Sequence, residues 1–242
     1  MRHQIRIGTS GWNYPHWQGI FYPPDLPTAK RLEFYVQHFD TVELNASFYR
    51  LPNQNTVAHW RQRTPEHFLW AVKASRYITH VKRLKDARES LDKFFAAIAP
   101  LKEKLGPVLF QLPPGLPFDE DLCKEFCNML AAGYRYSFEV RNSTWINDKF
   151  FVLLANYNMA FCISDTAGRF PYQEIVTADY VYLRLHGSKR LYASCYSEEE
   201  LRTWAVKINQ WARDTYVYFD NDYKGYAINN AARLREIIHC GI

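Results

Sequence analysis

Cysteine is scarce, with five residues in a chain of 242: Cys123, Cys127, Cys162, Cys195 and Cys240. The count is odd and no Cys-x-x-Cys pair occurs, which argues against a disulfide framework or a local zinc motif. Cys123 and Cys127 lie four apart in a helical pattern and read as two small buried apolar groups. No stretch approaches the ~18 uncharged apolar residues of a membrane helix. The first residues, Met1-Arg2-His3-Gln4-Ile5-Arg6, have no apolar run behind their charges, so no secretory signal is expected. Together these predict a reducing, cytoplasmic setting and no membrane partner. There is no Gly/Ser linker, no low-complexity segment and no repeated motif. No Gly-x-Gly-x-x-Gly follows the first strand either; Gly8-Thr9-Ser10-Gly11 lacks that dinucleotide spacing. The charge imbalance is small: 30 basic against 25 acidic residues leave +5, which favours anionic partners without implying nucleic acid by itself.

What the chain has in quantity is rings: 7 Trp, 17 Tyr and 16 Phe, enough for a packed core and for a pocket that takes flat or sugar-like ligands. They sit in an alternation of short strand-like runs and helical patterns. Residues 5–9, 41–48, 68–75, 108–112, 136–141, 159–165, 180–186 and 215–219 are rich in Val, Ile, Phe and Tyr and read as strands. Helical patterns fall near 28–38, 53–63, 87–104, 119–131, 147–157, 197–213 and 227–238. Leu91, Phe94, Phe95, Ile98 and Leu101 trace one helical face. Ser197 with Glu200 three later is a capping-box pattern. Residues 166–179 show no convincing helix. Strands joined by crossovers form parallel sheets. Eight such units predict an α/β fold: one (β/α)8 TIM-type barrel domain over 1–242, with a long aromatic loop after strand 1. The competing architecture is an open doubly wound sheet.

Side chains at i and i+2 of a barrel strand share a face. On the second strand Val42, Leu44 and Ala46 oppose Glu43 and Asn45. On the fifth, Phe138 and Val140 oppose Glu139 and Arg141; on the seventh, Val181, Leu183 and Leu185 oppose Tyr182, Arg184 and His186. Apolar faces should meet the helices, so the polar ones should look inward. Lys73, Gln111 and Asp165 stand near the C-terminal ends of their strands. Barrel enzymes keep their sites at that end. A purely structural ion-pair network is the plain alternative. It would stabilise little, because desolvation can exceed the Coulomb gain.

The connection after strand one, residues 10–24, is long, aromatic and rich in Gly and Pro, and it begins with Ser10, Gly11 and Trp12. Loops of this kind are usually functional, and its large rings argue against disorder. It reads as a plug over the barrel mouth, a pocket wall, or both, with Trp145 and Tyr192 at the same rim. The turn Phe219-Asp220-Asn221-Asp222 leads to Gly225 before the last helix, and such a start suits an anion. A basic run, His80-Val81-Lys82-Arg83-Leu84-Lys85, reads as a solvated face or a phosphate contact.

These features together resemble the domain-of-unknown-function-72 (YecE-like) family. The matching stretches are Gly8-Thr9-Ser10-Gly11-Trp12, Glu43-Leu44-Asn45 with Phe48-Tyr49, and Phe68 through Lys73 with Ile78-Thr79-His80. Gln111-Leu112-Pro113-Pro114, Glu139-Val140-Arg141 with Trp145, Arg184-Leu185-His186-Gly187 and the Phe219 turn match as well. The resemblance spans nearly the whole chain. It implies a (β/α)8 barrel with a rim of shared polar residues, and no particular reaction. Asp220 departs from the pattern, where Asn is usual, and its extra charge weakens a purely anion-binding role for that turn.

The expected function is an enzyme, hydrolase-like, acting on a small or oligomeric anionic substrate bearing phosphate or carboxylate. Glu43 or Glu139 would be the general base and His186 an acid or base. Lys73, Arg141 and Arg184 would hold the anion, Arg through its bidentate fork. Ser10, Trp12, Asn45, Gln111, Trp145, Asp165, Tyr192 and Asn221 complete the expected substrate-binding set, with Trp17 as a further stacking ring. No cofactor is expected. A divalent metal on Glu43, Glu139, Asp165 and His186, as in phosphodiester-cleaving barrels, is a variant that the three cations nearby would oppose. Glu43 with Glu139 is also the pair a glycosidase would use. A nucleic-acid-binding barrel is the non-enzymatic alternative, marked by salt-steep binding without turnover.

Overall fold

A computed structural model describes residues 3–241. Its strands are β1 (Ile5–Thr9), β2 (Thr41–Leu44), β3 (Leu69–Lys73), β4 (Leu105–Gln111), β5 (Tyr136–Glu139), β6 (Ala160–Asp165), β7 (Tyr180–Leu185) and β8 (Asp214–Phe219). Each pairs in parallel with its neighbours, in the order β1-β8-β7-β6-β5-β4-β3-β2. Between β1 and β2 the ring closes through one bridge, Ser10 with Glu43, and the Gly11 N–H donates to the Glu43 carbonyl at 2.8 Å. Gly8 permits this approach, since a Cβ there would lie 2.3 Å from the Thr41 carbonyl oxygen. This is the TIM-type α/β barrel that the alternation predicts, not an open sheet.

The helices are α1 (Arg31–His38), α2 (Ala46–Tyr49), α3 (Gln54–Gln62), α4 (Arg88–Ile98), α5 (Glu120–Met129), α6 (Asp148–Asn156), α7 (Glu198–Trp211) and α8 (Tyr226–Cys240). No helix separates β6 from β7 among the described residues, in keeping with the weak pattern at 166–179. Side chains cap where the sequence supplies them: Asn53, Asp119 and Asn147 each accept an N–H of the first turn, and Ser197 with Glu200 forms the capping box.

β3 and β5 each end two residues before the sequence pattern has them end, at Lys73 and Glu139, and three boundaries depart further. The second strand stops at Leu44, because the chain turns into α2, so Ala46 does not share a face with Val42 and Leu44. The fourth begins at Leu105, ahead of Gly106 and Pro107, and its register against β3 shifts where the proline stands. A proline cannot donate to a ladder, and a bulge accommodates it. The helix at 87–104 is α4 followed by a tighter turn from Ala99, where Pro100 cannot continue the α-helix.

Outward-facing strand residues, among them Val42, Val72, Phe110, Phe138, Leu183 and Val217, pack against the helices in one continuous core. The barrel interior is a separate and largely aromatic cluster. Tyr180 and Tyr216 lie lowest, and Tyr182 and Tyr218 sit above them with Ala71, Leu109 and Cys162. Arg135 donates to the Tyr216 hydroxyl at 2.5 Å and stacks 4.9 Å from the centre of the Tyr180 ring. Four tyrosines from two adjacent strands therefore do the filling that aliphatic residues usually do in such barrels.

The loop after β1 is ordered and packed. Trp17 is fully buried, and its Nε1 donates to Asp222 Oδ1 at 2.7 Å, tying the loop to the turn after β8. Trp12 lies edge-on against Trp60 and Trp70, 5.3 and 5.1 Å between ring centres, in the layer between strands and helices. The loop is a plug, and its tryptophans are committed to packing. Replacing Trp17 by Ala removes a buried ring and a hydrogen bond and should cost about 3–5 kcal/mol in urea unfolding. A variant as stable as wild type would show the loop to be dispensable to the fold.

Candidate functional site at the barrel mouth

The alternation that lines the lower barrel with tyrosine places charge in its top layer. Arg184 on β7 is completely buried and joins three carboxylates. Its Nη1 donates to Glu139 Oε2 at 2.6 Å, and its Nη2 donates to Glu43 Oε1 at 2.7 Å and Asp220 Oδ2 at 3.3 Å. Glu43 also accepts from Ser10 Oγ at 2.5 Å and from the Tyr182 hydroxyl at 2.6 Å. Glu139 accepts from Gln111 Nε2 at 2.9 Å and Arg141 Nε at 3.1 Å. Burial alone would raise the Glu139 carboxyl; Arg184 and Arg141 outweigh it and hold the group well below the usual carboxylate range.

His186 follows on the same strand. Its Nδ1 lies 3.0 Å from Asp220 Oδ2, and its Nε2 lies 3.3 Å from Arg184 Nη1. Burial also opposes ionisation of Asp220, yet the His186 contact and Arg184 keep its carboxyl below the ordinary value. Tyr192 covers the imidazole edge-on at 5.4 Å and accepts from Arg141 Nη2 at 3.3 Å. Its backbone sits at φ 62, an uncommon left-handed conformation for a bulky residue, held by its N–H bond to the His186 carbonyl.

Lys73 caps β3 beside this cluster. Its Nζ lies 4.2 Å from the centre of the Phe48 ring, and Ser47 Oγ donates to its carbonyl at 2.6 Å. His80, on the π-helical turn Tyr77–Val81, packs edge-on to Phe48 at 5.1 Å. Burial, then Lys73 and Arg141, push the His80 imidazole down to about 4. It is therefore neutral at pH 7.

Of the expected site residues, Ser10, Glu43, Lys73, Gln111, Glu139, Arg141, Arg184, His186 and Tyr192 come together at the mouth. Asn45 stands at its edge, at the start of α2, with its Oδ1 buried and unpartnered. The others do not join them. Trp145 is fully buried under α6, against Phe118 and Phe150, and its Nε1 donates to the Leu116 carbonyl. Trp12 is held by Trp60 and Trp70, so neither ring is free to stack on a ligand. Asn221 is buried and donates to the Ser194 carbonyl and Asn230 Oδ1, fixing the turn to α8. Asp165 has the outward parity of Ile163, which leaves Ser164 as the inward residue of β6, and it accepts from the Tyr196 hydroxyl. Arg184 and the two glutamates are spent on one another, so Arg184 positions the cluster and does not present a free fork.

Tyr182, Asp220, Phe48 and His80 were missed as site residues. Tyr182 and Asp220 carried the same two-residue parity signal; β8 was read only to Phe219, and Asp220 is the next inward position after Tyr218. Phe48 and His80 had no periodic signal, because α2 and the π-turn bring them in. Among the described residues no group of three or more His, Cys, Asp or Glu is arranged to hold a metal.

The model of the family described as "Protein of unknown function DUF72" matches residues 6–240. The chain belongs to this family. A DUF72 family protein from Thermotoga maritima superposes with a TM-score of 0.87 at 31% identity, covering 98% of this chain and 100% of that one. A DUF72 structure from Enterococcus faecalis gives a TM-score of 0.83 at 20% identity, covering 99% and 97%, a likeness of fold. In sequence the chain is similar to the UPF0759 protein YunF of Bacillus subtilis, 27% identical over 97% of this chain and 94% of the relative. It is 29% identical to the UPF0759 protein YecE of Escherichia coli K12 over 57% of this chain and 48% of that one.

Removing Arg184 strands two buried carboxylates. Arg184→Gln should therefore cost about 3–5 kcal/mol of stability in chemical unfolding. A loss under about 1 kcal/mol would mean that the glutamates have other partners. The pH dependence follows from Glu139 and Asp220. Their carboxyls are depressed in the fold, so they stabilise it fully above the unfolded carboxylate values near 4. That contribution is lost as pH falls through the lower folded values. Wild-type melting temperature should hold from pH 7 to about 5 and drop below 4; a flat profile down to pH 2 would contradict it.

Proposed function

We propose that the barrel mouth is an enzyme site for a small or oligomeric anionic substrate, bearing phosphate or carboxylate, handled by general acid–base chemistry. The observation that carries this reading is spare cationic capacity above used-up carboxylates. Glu43 and Glu139 give their lone pairs to Ser10, Tyr182, Gln111 and the two arginines. Arg141 spends Nε on Glu139 and one Nη2 contact on Tyr192, and its side chain keeps 15% exposure at the opening. Its guanidinium stacks 4.4 Å from the centre of the Phe170 ring, which holds the plane without consuming donors. A fork fixed in this way suits a two-oxygen anion.

The acid–base groups follow from the same geometry. Burial, with Arg184 next, lowers the Lys73 amine to about 8, close to neutral pH, where proton transfer is most effective. His186 Nδ1 faces Asp220 Oδ2 at 3.0 Å. The glutamates, expected from the sequence as bases, are assigned the holding of Arg184 and Arg141. Desolvation by the loop plug and Tyr192 would strengthen each contact a bound anion makes.

Calorimetry with inorganic phosphate at fixed ionic strength tests the reading. Arg141→Gln loses a charge-assisted contact and should weaken binding about 10- to 100-fold. Arg141→Lys should weaken it too, because a point charge lacks the fork. Equal affinity in all three proteins, or none in wild type, would leave a structural ion-pair network as the better account.

A further inference from the structure

This fold shows how it satisfies a buried lysine that serves structure alone. Lys104 Nζ donates to the Arg61 and Thr64 carbonyls at 2.7 and 2.6 Å, at the end of α3. Lys73 is treated differently. It is only 8% exposed, yet no carboxylate oxygen comes within 4.0 Å of its Nζ and no acceptor takes a hydrogen bond from it among the described residues. It lies over the face of Phe48, 4.2 Å from the ring centre. Its Nζ is not among the sealed polar atoms, whereas Arg184 Nε is. The amine thus ends at the opening, on an aromatic wall, one strand from Glu43 and two strands from Arg141.

We propose that Lys73 is a nucleophile that forms an imine with the carbonyl carbon of an aldehyde or ketone carrying a carboxylate or phosphate. The inference rests on the anion-binding reading of the mouth and names the substrate class of that site. Arg141 takes the anionic group, and the carbonyl carbon faces Nζ. The neutral amine's lone pair attacks that carbon, and the C=O π pair moves to oxygen. One proton leaves nitrogen and one joins oxygen, giving a carbinolamine. The C–O bond then breaks as nitrogen's lone pair forms C=N. The departing hydroxide takes a proton from solvent and leaves as water, and the protonated imine nitrogen returns its remaining proton to solvent, so the two transfers cancel. No oxidant or reductant takes part.

Such a nucleophile must be partly unprotonated near neutral pH, which an apolar, cation-flanked site achieves. The charged groups around Lys73 are Glu43 on β2, Glu139 and Arg141 at β5, Arg184 on β7 and Asp220 after β8, and the neutral His80 faces it from the π-turn. Burial and Arg184 lower the amine, and the three carboxylates hold it back only in part. The Phe48 face excludes water from one side of the forming bond.

The test is reductive trapping. The full chain is incubated at pH 8 with pyruvate and cyanoborohydride, and the reduced adduct is mapped by peptide mass spectrometry. Lys73 should be labelled about tenfold or more over a solvent-exposed lysine such as Lys93, which is almost wholly protonated at that pH. Inorganic phosphate should slow labelling by competing for Arg141. Lys73→Arg keeps the charge and should carry no adduct at that position. The wild-type map decides the matter even if that variant folds poorly. Label spread over surface lysines in proportion to exposure, or absent from Lys73, overturns the imine. If phosphate still binds by calorimetry, that failure is confined to the imine; if phosphate binding is also absent, the anion site falls with it.

Discussion

One buried guanidinium organises the mouth of this barrel. Arg184 reaches from β7 to Glu43 on β2, Glu139 on β5 and Asp220 after β8, so it links strands on opposite sides of the ring. Taking these groups out of water is expensive, and their mutual attraction offsets the cost only because each glutamate accepts from two donors besides Arg184. Ser10, Tyr182, Gln111 and Arg141 supply those donors. An ordinary aliphatic layer would have served stability at least as well, so the arrangement is better understood as holding something in place. What it holds is Arg141 at the opening and His186 beneath Tyr192.

The interior is divided by height. Tyrosines fill the lower half, and their hydroxyls find local acceptors or partners: Tyr180 donates to the Tyr136 carbonyl, and Tyr218 pairs with Thr41. Tyr182 joins the halves, with its ring in the aromatic layer and its hydroxyl on Glu43. A tyrosine suits that boundary because one end is apolar and the other is a donor. The charged layer therefore rests on a rigid floor instead of on water. In a low-dielectric setting of this kind, small differences in partnering decide which group stays charged. Arg184 and Glu139 are locked as an ion pair, while burial and Arg184 lower the Lys73 amine to about 8.

Most of the fold and the inner half of the site were legible from sequence for one reason: period-two alternation on short strands. It places Glu43, Glu139 and Arg184 inside the barrel, and the resemblance to the DUF72 family points to the same rim. The alternation failed where local geometry breaks the period. Leu44 ends a strand because α2 begins there; Asp165 stands at the end of β6, but the alternation, which turns it outward with Ile163, does not bring it into the mouth. It also says nothing about what a ring packs against. Trp12 and Trp145 looked like rim aromatics from their chain positions, but the shell between strands and helices had more apolar surface to offer them. The pairing that cancels Arg184 as a free anion binder was equally invisible, since it joins residues about 140 and 45 apart in the chain.

The seam between β1 and β2 has its own consequence. Other neighbouring strands share a ladder of paired residues, whereas these two meet at the single bridge of Ser10 with Glu43. Cooperative opening begins where the fewest backbone bonds must break. Slow amide exchange would then reveal a hinge line down this side of the barrel, with Gly11, whose N–H is bound to the Glu43 carbonyl, losing protection before the amides of β7 and β8. Because Glu43 sits on the seam, each such breath would loosen one carboxylate of Arg184. Backbone fluctuation on one wall and electrostatic poise at the centre of the mouth are, in this molecule, the same event.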